Sequence, residues 1–300
     1  MKKILKKFIP KYISYKFFCF LYYLKSFGIK NKFRKTDIGI AWLDEKDFKI
    51  LQSKFQLPPQ YKYDKKNLEI RGQTRGVKIL KLLNKNFINK KKIKILEIGC
   101  HDGMVCYALN NFDKSTIGID INLKYLNSRA KNNKINFIEM DACGLAFNDN
   151  SFDMVYSYAS FEHFKNPEKV LNEVIRIVQK RGLIYLDFGP LYMSPYGLHA
   201  YDIISIPFCQ HLFEEQFLKK YAKQNHYKII YEDLNRWKLE DYRKLWNKYS
   251  SKLTKISYSE NKNFVGLELI KDYPSCFKDK SINFDEFVTS SIEVLFKKMF

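Results

Sequence analysis

Two patterns of apolar and polar residues alternate between residues 93 and 189. Short apolar and β-branched runs predict five buried strands, over 93–99, 115–120, 135–141, 152–159 and 183–189. Between these runs the apolar residues recur at helical spacing, so we expect one helix after Gly103 and another over 122–132. Strands that alternate with helices in this way predict a doubly wound, Rossmann-like α/β sheet with parallel strands.

The clearest helix signals lie between residues 166 and 182. Asn166 suits an N-cap, Pro167 suits the first turn, and Gly182 follows the expected end. One face of this helix is apolar and should pack on the sheet; it consists of Val170, Leu171, Val174, Ile175 and Val178.

The pattern becomes less regular after residue 189. It predicts a long loop over 189–213, a helix over 211–225, a strand over 227–233, a polar and partly helical insertion over 234–287, and a last strand over 291–299. A strand that returns after so long an excursion suits antiparallel pairing on the sheet. We therefore expect a basic, aromatic and helical N-terminal extension over 1–75 and a sheet-bearing domain over 76–300.

The positive charge of the chain is concentrated in its first third. The formal net charge is +21, and residues 1–95 hold 26 Lys and Arg against 6 Asp and Glu, whereas residues 96–300 hold 27 against 26. A basic arm of this kind can bind nucleic acid, although the sequence contains no recognisable RNA-binding module. Part of the excess also reflects a lysine-rich composition throughout the chain.

The first 30 residues combine lysines with a short apolar run. That run, over 17–24, has eight residues, far fewer than the roughly 20 of a membrane-spanning helix. On a helix its apolar side chains share one face, formed by Ile13, Phe17, Phe20, Leu21 and Leu24. Such a face either lies on an anionic membrane surface or docks on its own domain, and both alternatives stay open here.

The six cysteines and five histidines are scattered along the chain. No CxxC pair is present, so we expect reduced thiols, no metal site and a cytoplasmic location, with any membrane contact peripheral and on the inner face.

The segment ILEIGCHDG, residues 95–103, ends the first predicted strand in an unusual turn. Glu97 lies at the strand end, and Gly99 and Gly103 bracket His101 and Asp102. In open parallel sheets, ligands bind beyond the carboxyl ends of the strands. Two glycines at such a turn allow a ligand to approach the backbone closely.

Two further acids end the next two predicted strands. Asp120 is placed to accept the two hydroxyl groups of a ribose, and Asp141 should lie beside the base. A dinucleotide pyrophosphate would be repelled by Glu97 and Asp102. S-adenosylmethionine carries a cationic sulfonium and an ammonium, so the acids favour it as the cofactor.

Four segments together resemble the class I S-adenosylmethionine-dependent methyltransferases of the type 11-like group: ILEIGCHDG, TIGIDIN, NFIEMDA and the stretch from Ser151 to Phe188. The resemblance covers residues 75 to 233, and the last strand matches the usual end of that fold. One departure is His101, which replaces the central glycine of the usual ExGxGxG.

The resemblance implies a cofactor site that runs from the methionine side through the ribose and adenine to the floor under the sulfonium. Its members would be Glu97, Gly99, His101, Gly103, Asp120, Ile121, Asp141, Ala142, Ser157 and Tyr158.

On the acceptor side, an oxygen nucleophile of high pKa needs a base. We expect His199 in this role, with His163 and His211 as further candidates, although each histidine can equally be structural. The aromatic loop 189–213 and the insertion resemble methyltransferases of small molecules or glycans in bacterial surface-polysaccharide or lipid-linked pathways. We therefore expect O-methylation of such an acceptor. The alternatives are an RNA methyltransferase that uses the basic N-terminal region and a non-catalytic partner subunit; the sequence does not indicate an oligomeric state.

Overall fold

The computed structural model describes Leu21, Leu24, residues 26–35, Gly39 and residues 42–58, 64–87, 92–229 and 231–300. The chain forms two compact units. The sheet unit contains residues 58–192, 230–261 and 289–300, and the helical unit contains the described part of 1–57 together with 193–229 and 262–288. Each unit is therefore assembled from three segments that alternate along the sequence.

The sheet unit is built on seven strands in the order β3-β2-β1-β4-β5-β7-β6. The strands are β1 (Ile95–Ile98), β2 (Thr116–Asp120), β3 (Asn136–Glu139), β4 (Phe152–Tyr158), β5 (Val178–Phe188), β6 (Leu253–Lys262) and β7 (Thr289–Lys298). Strands β1 to β5 pair in parallel, and β7 pairs antiparallel to β5, with Leu186 opposite Val294. The predicted doubly wound α/β fold and its antiparallel last strand are confirmed.

The helices are distributed between the two units. They are α1 (Glu45–Lys54), α2 (Lys65–Asn86), α3 (Met104–Asn110), α4 (Ser128–Lys131), α5 (Pro167–Ile177), α6 (Cys209–Leu212), α7 (Glu215–Gln224), α8 (Leu239–Lys248), α9 (Leu267–Asp272), α10 (Pro274–Lys278) and α11 (Asp285–Val288), and residues 26–35 are also helical. The boundary predicted after residue 75 falls inside α2, which belongs entirely to the sheet unit.

Each face of the sheet carries its own hydrophobic core. On one face, α2 and α3 pack on β1, β4 and β5 through residues such as Ile79, Val105 and Met154. Gly72 and Gly76 allow α2 to approach α3 closely, because a Cβ on Gly76 would lie 2.9 Å from the Cβ of Ala108. On the other face, α5 and α8 cover the sheet.

Helix α5 begins as the sequence predicts and ends earlier. The Asn166 side chain accepts a hydrogen bond from the Lys169 N–H, and Pro167 occupies the first position. The prediction that Val178 belongs to this helix is wrong. Its backbone is extended, and it is the first residue of β5, opposite Phe152. Gly182 consequently lies inside β5 instead of after a helix.

Several other predicted elements differ from the structure. The strand predicted over 227–233 is wrong: Tyr231–Asp233 form a 3₁₀ turn. The helix predicted over 122–132 is broken into a 3₁₀ turn and α4, because Leu126 adopts an extended ψ of 128°. The helix over 211–225 begins at Cys209 and is interrupted between α6 and α7. Strand β6 lies in the segment predicted to be polar and partly helical.

The helical unit is held together by an aromatic core. Phe48 contacts Phe213 and Phe217 with ring centroids 5.1 and 5.0 Å apart, and Phe277 contacts Phe287 edge to face at 5.1 Å. Of the apolar face predicted near the N-terminus, Ile13, Phe17 and Phe20 lie outside the described residues. Leu21 and Leu24 are exposed.

Candidate active site

The turn after β1 has the backbone conformation that its glycines predict. Gly99 and Gly103 have φ angles of +71° and +70°, in the left-handed region that favours glycine. A Cβ on Gly99 would lie 2.6 Å from the Cβ of Ser160, and a Cβ on Gly103 would lie 2.7 Å from the ring of Phe137. Neither position can accept a larger residue without local rearrangement.

His101, at the position of the usual glycine, also has a positive φ of +45°. Its backbone N–H donates a hydrogen bond of 2.8 Å to Asp120 Oδ2, and its ring stacks on Tyr125 at 5.1 Å. The departure from glycine therefore leaves the turn intact, with the ring outside it and the N–H directed at the strand-end acid.

Asp120 lies at the end of β2, half-buried, at the carboxyl edge of the sheet. Its second oxygen, Oδ1, accepts the Asn122 N–H at 3.3 Å. A carboxylate has about four acceptor positions, so Asp120 retains acceptor capacity toward a ligand. The backbone N–H groups keep it oriented.

Glu97 and Asp102 have roles that the charge argument from the sequence did not anticipate. Glu97 is 2% exposed, and its Oε2 accepts hydrogen bonds from Tyr156 Oη at 3.1 Å and Cys106 Sγ at 2.9 Å. Burial raises its pKa to about 7. Asp102 forms an ion pair with Arg71 of α2. Glu97 and Asp102 therefore support the local structure, whereas Asp120 is half-buried and Asp141 is exposed at this edge.

Helix α2 supplies site residues that sequence reasoning missed. The Arg75 guanidinium lies 4.7 Å above the ring of Tyr158, and Tyr158 Oη donates to the Arg75 carbonyl at 3.3 Å. Arg71 and Arg75 are four residues apart, so they share one face of α2 at the carboxyl edge of β1 and β4. Their helical spacing is visible in the sequence, but the strand that they face is not.

The remaining predicted cofactor residues lie at the carboxyl edge of the sheet, some exposed and some buried. Ile121 is 72% exposed just beyond Asp120. Asp141 follows β3 and accepts the Cys143 N–H at 2.8 Å, and Ala142 is buried next to it. Ser157 is buried in β4, where its hydroxyl donates to the Ile98 carbonyl at 2.8 Å.

These residues fit S-adenosylmethionine by the chemistry of their groups. Asp120 offers acceptors for ribose hydroxyls, and exposed Ile121 offers an apolar surface for the adenine. Arg75 offers a cation for the carboxylate of the methionine part. Within the described residues no group of three or more His, Cys, Asp or Glu is arranged to hold a metal ion.

The loop after β4 contains a residue that the sequence argument passed over. Glu162 is 3% exposed, and its Oε1 accepts the Gly189 N–H at 3.0 Å, so it joins the loops that follow β4 and β5. Burial raises the pKa of Glu162 to about 7. The only sequence signal would have been its position after the fourth strand.

The three candidate histidines have different surroundings. His163, in the sheet unit, has Nδ1 at 2.7 Å from the Asp233 carbonyl, so a neutral ring carries its proton on Nδ1. His199, in the helical unit, has a φ of +58° and lies 5.9 Å from the ring of Tyr201. His211 is fully buried in the helical unit, with Nε2 at 3.0 Å from the Met193 carbonyl.

Among the described residues, none of the helices is both long and apolar enough to cross a membrane.

Comparison with known proteins places residues 96–186 in a family described as "Methyltransferase domain". The fatty-acid O-methyltransferase of Mycolicibacterium smegmatis is 32% identical over 34% of this chain and 39% of its own length. The sterol 24-C-methyltransferase of Aspergillus fumigatus is 28% identical over 31% of this chain and 27% of its own length. This chain thus matches less than half the length of either relative. Among solved structures, the PH0226 protein from Pyrococcus horikoshii aligns with a TM-score of 0.49 and 18% identity over 85% of this chain and all of that chain.

Proposed function

We propose that this chain, in which residues 96–186 match a family described as "Methyltransferase domain", is an S-adenosylmethionine-dependent methyltransferase that transfers a methyl group to an oxygen atom of a small molecule or a lipid-linked sugar. The observation that carries the proposal is the arrangement of Asp120, held by the His101 N–H at the carboxyl edge of the sheet. S-adenosylmethionine supplies a methyl group already activated on a sulfonium, so the protein must mainly hold and align the two reactants.

On the donor side, each proposed contact involves a group at the carboxyl edge of the sheet. Asp120 would accept the ribose hydroxyls, and Asp141 with Ala142 would lie at the adenine. Arg75, fixed over Tyr158, would pair with the carboxylate of the methionine part. The turn from Gly99 to Gly103, whose left-handed glycines let it pack closely on Ser160 and Phe137, would lie beside the methionine part.

On the acceptor side, the fatty-acid O-methyltransferase among the relatives supports the choice of an oxygen nucleophile. Its name describes the acceptor of that relative and not the acceptor of this chain. The segment 189–213 contributes three half-buried tyrosines, Tyr192, Tyr196 and Tyr201, and aromatic side chains of this kind suit a flat or ring-shaped acceptor. Among the histidines, His199 stays the first candidate for a base, with His163 and His211 as further candidates.

A contact of the N-terminal region with an anionic membrane also stays a proposal. Leu24 and Phe27, on one side of the helical residues there, are 51% and 55% exposed in a region rich in lysine. An acceptor that is linked to a lipid would be found at such a surface.

The test is methyl transfer by the full chain from S-adenosylmethionine labelled in its methyl group. A panel of fatty acids, phenols, hexoses and primary amines serves as acceptors, and calorimetry measures cofactor binding in parallel. We expect cofactor binding and label on an oxygen of one acceptor class. Label found only on amines would refute the O-methylation, and failure to bind the cofactor would indicate a non-catalytic member of the fold.

A further inference from the structure

Glu162 has one buried carboxylate oxygen for which the described residues supply no hydrogen-bond partner. Its Oε1 accepts the Gly189 N–H, whereas Oε2 has no partner within the described part of the chain. A buried polar atom of this kind destabilises the folded protein when it stays unpaired, because its hydration is lost without a replacement. Atoms of this kind in native proteins bind an ordered water, an ion or a ligand, store strain, or take part in a reaction.

The position of Glu162 is where a methyl acceptor is expected. Strand β4 ends at Tyr158 and β5 ends at Phe188, and Glu162 bridges the two loops that follow them. Ligands of open parallel sheets bind beyond these strand ends. The free oxygen therefore belongs to the edge of the sheet that holds Asp120 and the turn after β1.

The loop is held in place by hydrogen bonds to the segment before α8. The Asn235 N–H donates to the Glu162 carbonyl at 3.0 Å, and Asn235 Nδ2 donates to the Phe161 carbonyl at 2.9 Å. Tyr242 Oη in turn donates to Asn235 Oδ1 at 3.0 Å. Asn235 thus holds the backbone of Phe161 and Glu162 in place. A catalytic group that is preorganised in this way needs no rearrangement during the reaction.

The electrostatic surroundings make Glu162 a stronger base than an exposed carboxylate. Burial raises its pKa to about 7, and the hydrogen bond from Gly189 and the charges of His163 and Arg75 only partly oppose this. Tyr242 of α8 also lies near, and burial together with the charge of Glu162 raises the pKa of that phenol, so it stays neutral. A base whose pKa is close to the working pH is well matched to proton transfer.

We propose that Glu162 is a catalytic residue, the group that takes the proton from the nucleophile of the methyl acceptor. The inference rests on the proposed function. As the acceptor oxygen forms its bond to the methyl carbon, the bond from that carbon to the sulfonium sulfur breaks. The sulfur keeps the electron pair of the broken bond, and the hydroxyl proton passes to Glu162 Oε2.

The role differs from the expectation that His199 is the base. A neutral histidine and an ionised glutamate both accept a proton, so the residue type does not separate them. The argument for Glu162 is its Oε2 atom, which accepts no hydrogen bond from the described residues and can therefore accept one from a ligand.

The test is Glu162→Gln in the full chain, with the acceptor that the labelled panel yields. Glutamine keeps an oxygen for the Gly189 N–H and removes the base. We expect kcat to fall by about 10²–10⁴-fold, while the affinity for S-adenosylmethionine changes less than threefold. In the wild type log kcat should rise with unit slope up to about pH 7, and this limb should be absent in the variant.

Asp153→Asn provides the matched control. Asp153 is also buried and accepts a backbone N–H, that of Lys94 at 2.9 Å, but it lies at the amino end of β4, away from the ligand-binding edge. We expect its kcat and pH profile to match the wild type. A kcat within fivefold of the wild type in Glu162→Gln, with the pH limb kept, would overturn the proposal, and loss of the limb in His199→Gln instead would assign the proton to that residue.

A second measurement covers the cases in which the variant does not fold or the panel yields no acceptor. ¹³C NMR of carboxyl-labelled glutamate in the wild type, with Glu162 assigned by a conservative Glu162→Asp variant, follows its titration. A pKa near 7 supports the proposal, and an ordinary value near 4.5 overturns it. If the wild type binds the cofactor and Glu162→Gln keeps the wild-type kcat, this inference alone is refuted. If the wild type does not bind the cofactor, the proposed function is refuted.

Discussion

Glu97 and Glu162 are both buried glutamates whose pKa is raised to about 7 by burial, yet their surroundings differ. Glu97 lies among side chains between the sheet and α3, and one of its oxygens accepts hydrogen bonds from both Tyr156 and Cys106. Glu162 lies in a loop, and one of its oxygens has no partner in the described residues. Burial and a raised pKa are therefore shared by a structural group and a candidate catalytic one. The unused oxygen separates them.

Exchange of each glutamate for glutamine should separate the two residues, and the strongest loss is expected for Glu162. Glu162→Gln should lower kcat by about 10²–10⁴-fold and leave cofactor affinity nearly unchanged. Glu97→Gln should act on cofactor affinity instead, by no more than about tenfold, because its carboxylate supports the β1 strand end from within. Single-turnover methyl transfer and calorimetry on both variants measure the two quantities. Equal losses of kcat in the two variants would contradict the assignment of a structural role to Glu97 and a catalytic role to Glu162.

Asp120→Ala should weaken S-adenosylmethionine binding by about 100-fold or more. Two hydrogen bonds to a charged acceptor are lost, each worth about 1.5–3 kcal/mol before compensation. Calorimetry measures the affinity, with Asp113→Asn as the control, because Asp113 is an exposed turn residue ahead of β2. An affinity that stays the same would remove Asp120 from the cofactor site.

Both glutamates should make the protein less stable as the pH rises. Their folded pKa of about 7 lies above the ordinary 4.5, so their stabilising contribution is complete below pH 4.5 and is lost as the pH rises through 7. Each shift corresponds to about 3 kcal/mol. Denaturant unfolding between pH 5 and 8 should show a flatter pH dependence in either glutamine variant. A slope equal to that of the wild type would mean that the missing carboxylate titrates normally in the folded protein.

Gly99→Ala should have the smallest effect, about 1–3 kcal/mol of folding stability. Its φ of +71° is unfavourable for alanine, and the added Cβ would overlap the side chain of Ser160. The double variant Gly99→Ala with Ser160→Gly removes the overlap and keeps the backbone strain, so chemical denaturation separates the two causes. Full stability in the single variant would show that the turn adapts without cost.

The parallel strands, the α5 cap at Asn166 and the strand-end positions of Glu97, Asp120 and Asp141 could be predicted from local sequence patterns. Each is a local property: hydrophobic periodicity, capping chemistry and the order of residues along a strand determine it without knowledge of partners. Strand β6 was missed because most of its residues are exposed, so it lacks the apolar pattern of a buried strand.

The pairing of charged groups depends on long-range contacts and could not be predicted from the sequence. Arg71 is 31 residues from Asp102, and Gly189 is 27 residues from Glu162, so no local pattern pairs them. The same holds for the helical unit, whose aromatic core draws on segments more than 60 residues apart. Burial and hydrogen-bond satisfaction depend on contacts that are distant in sequence, and these determine whether an acid is a structural group or a reactive one.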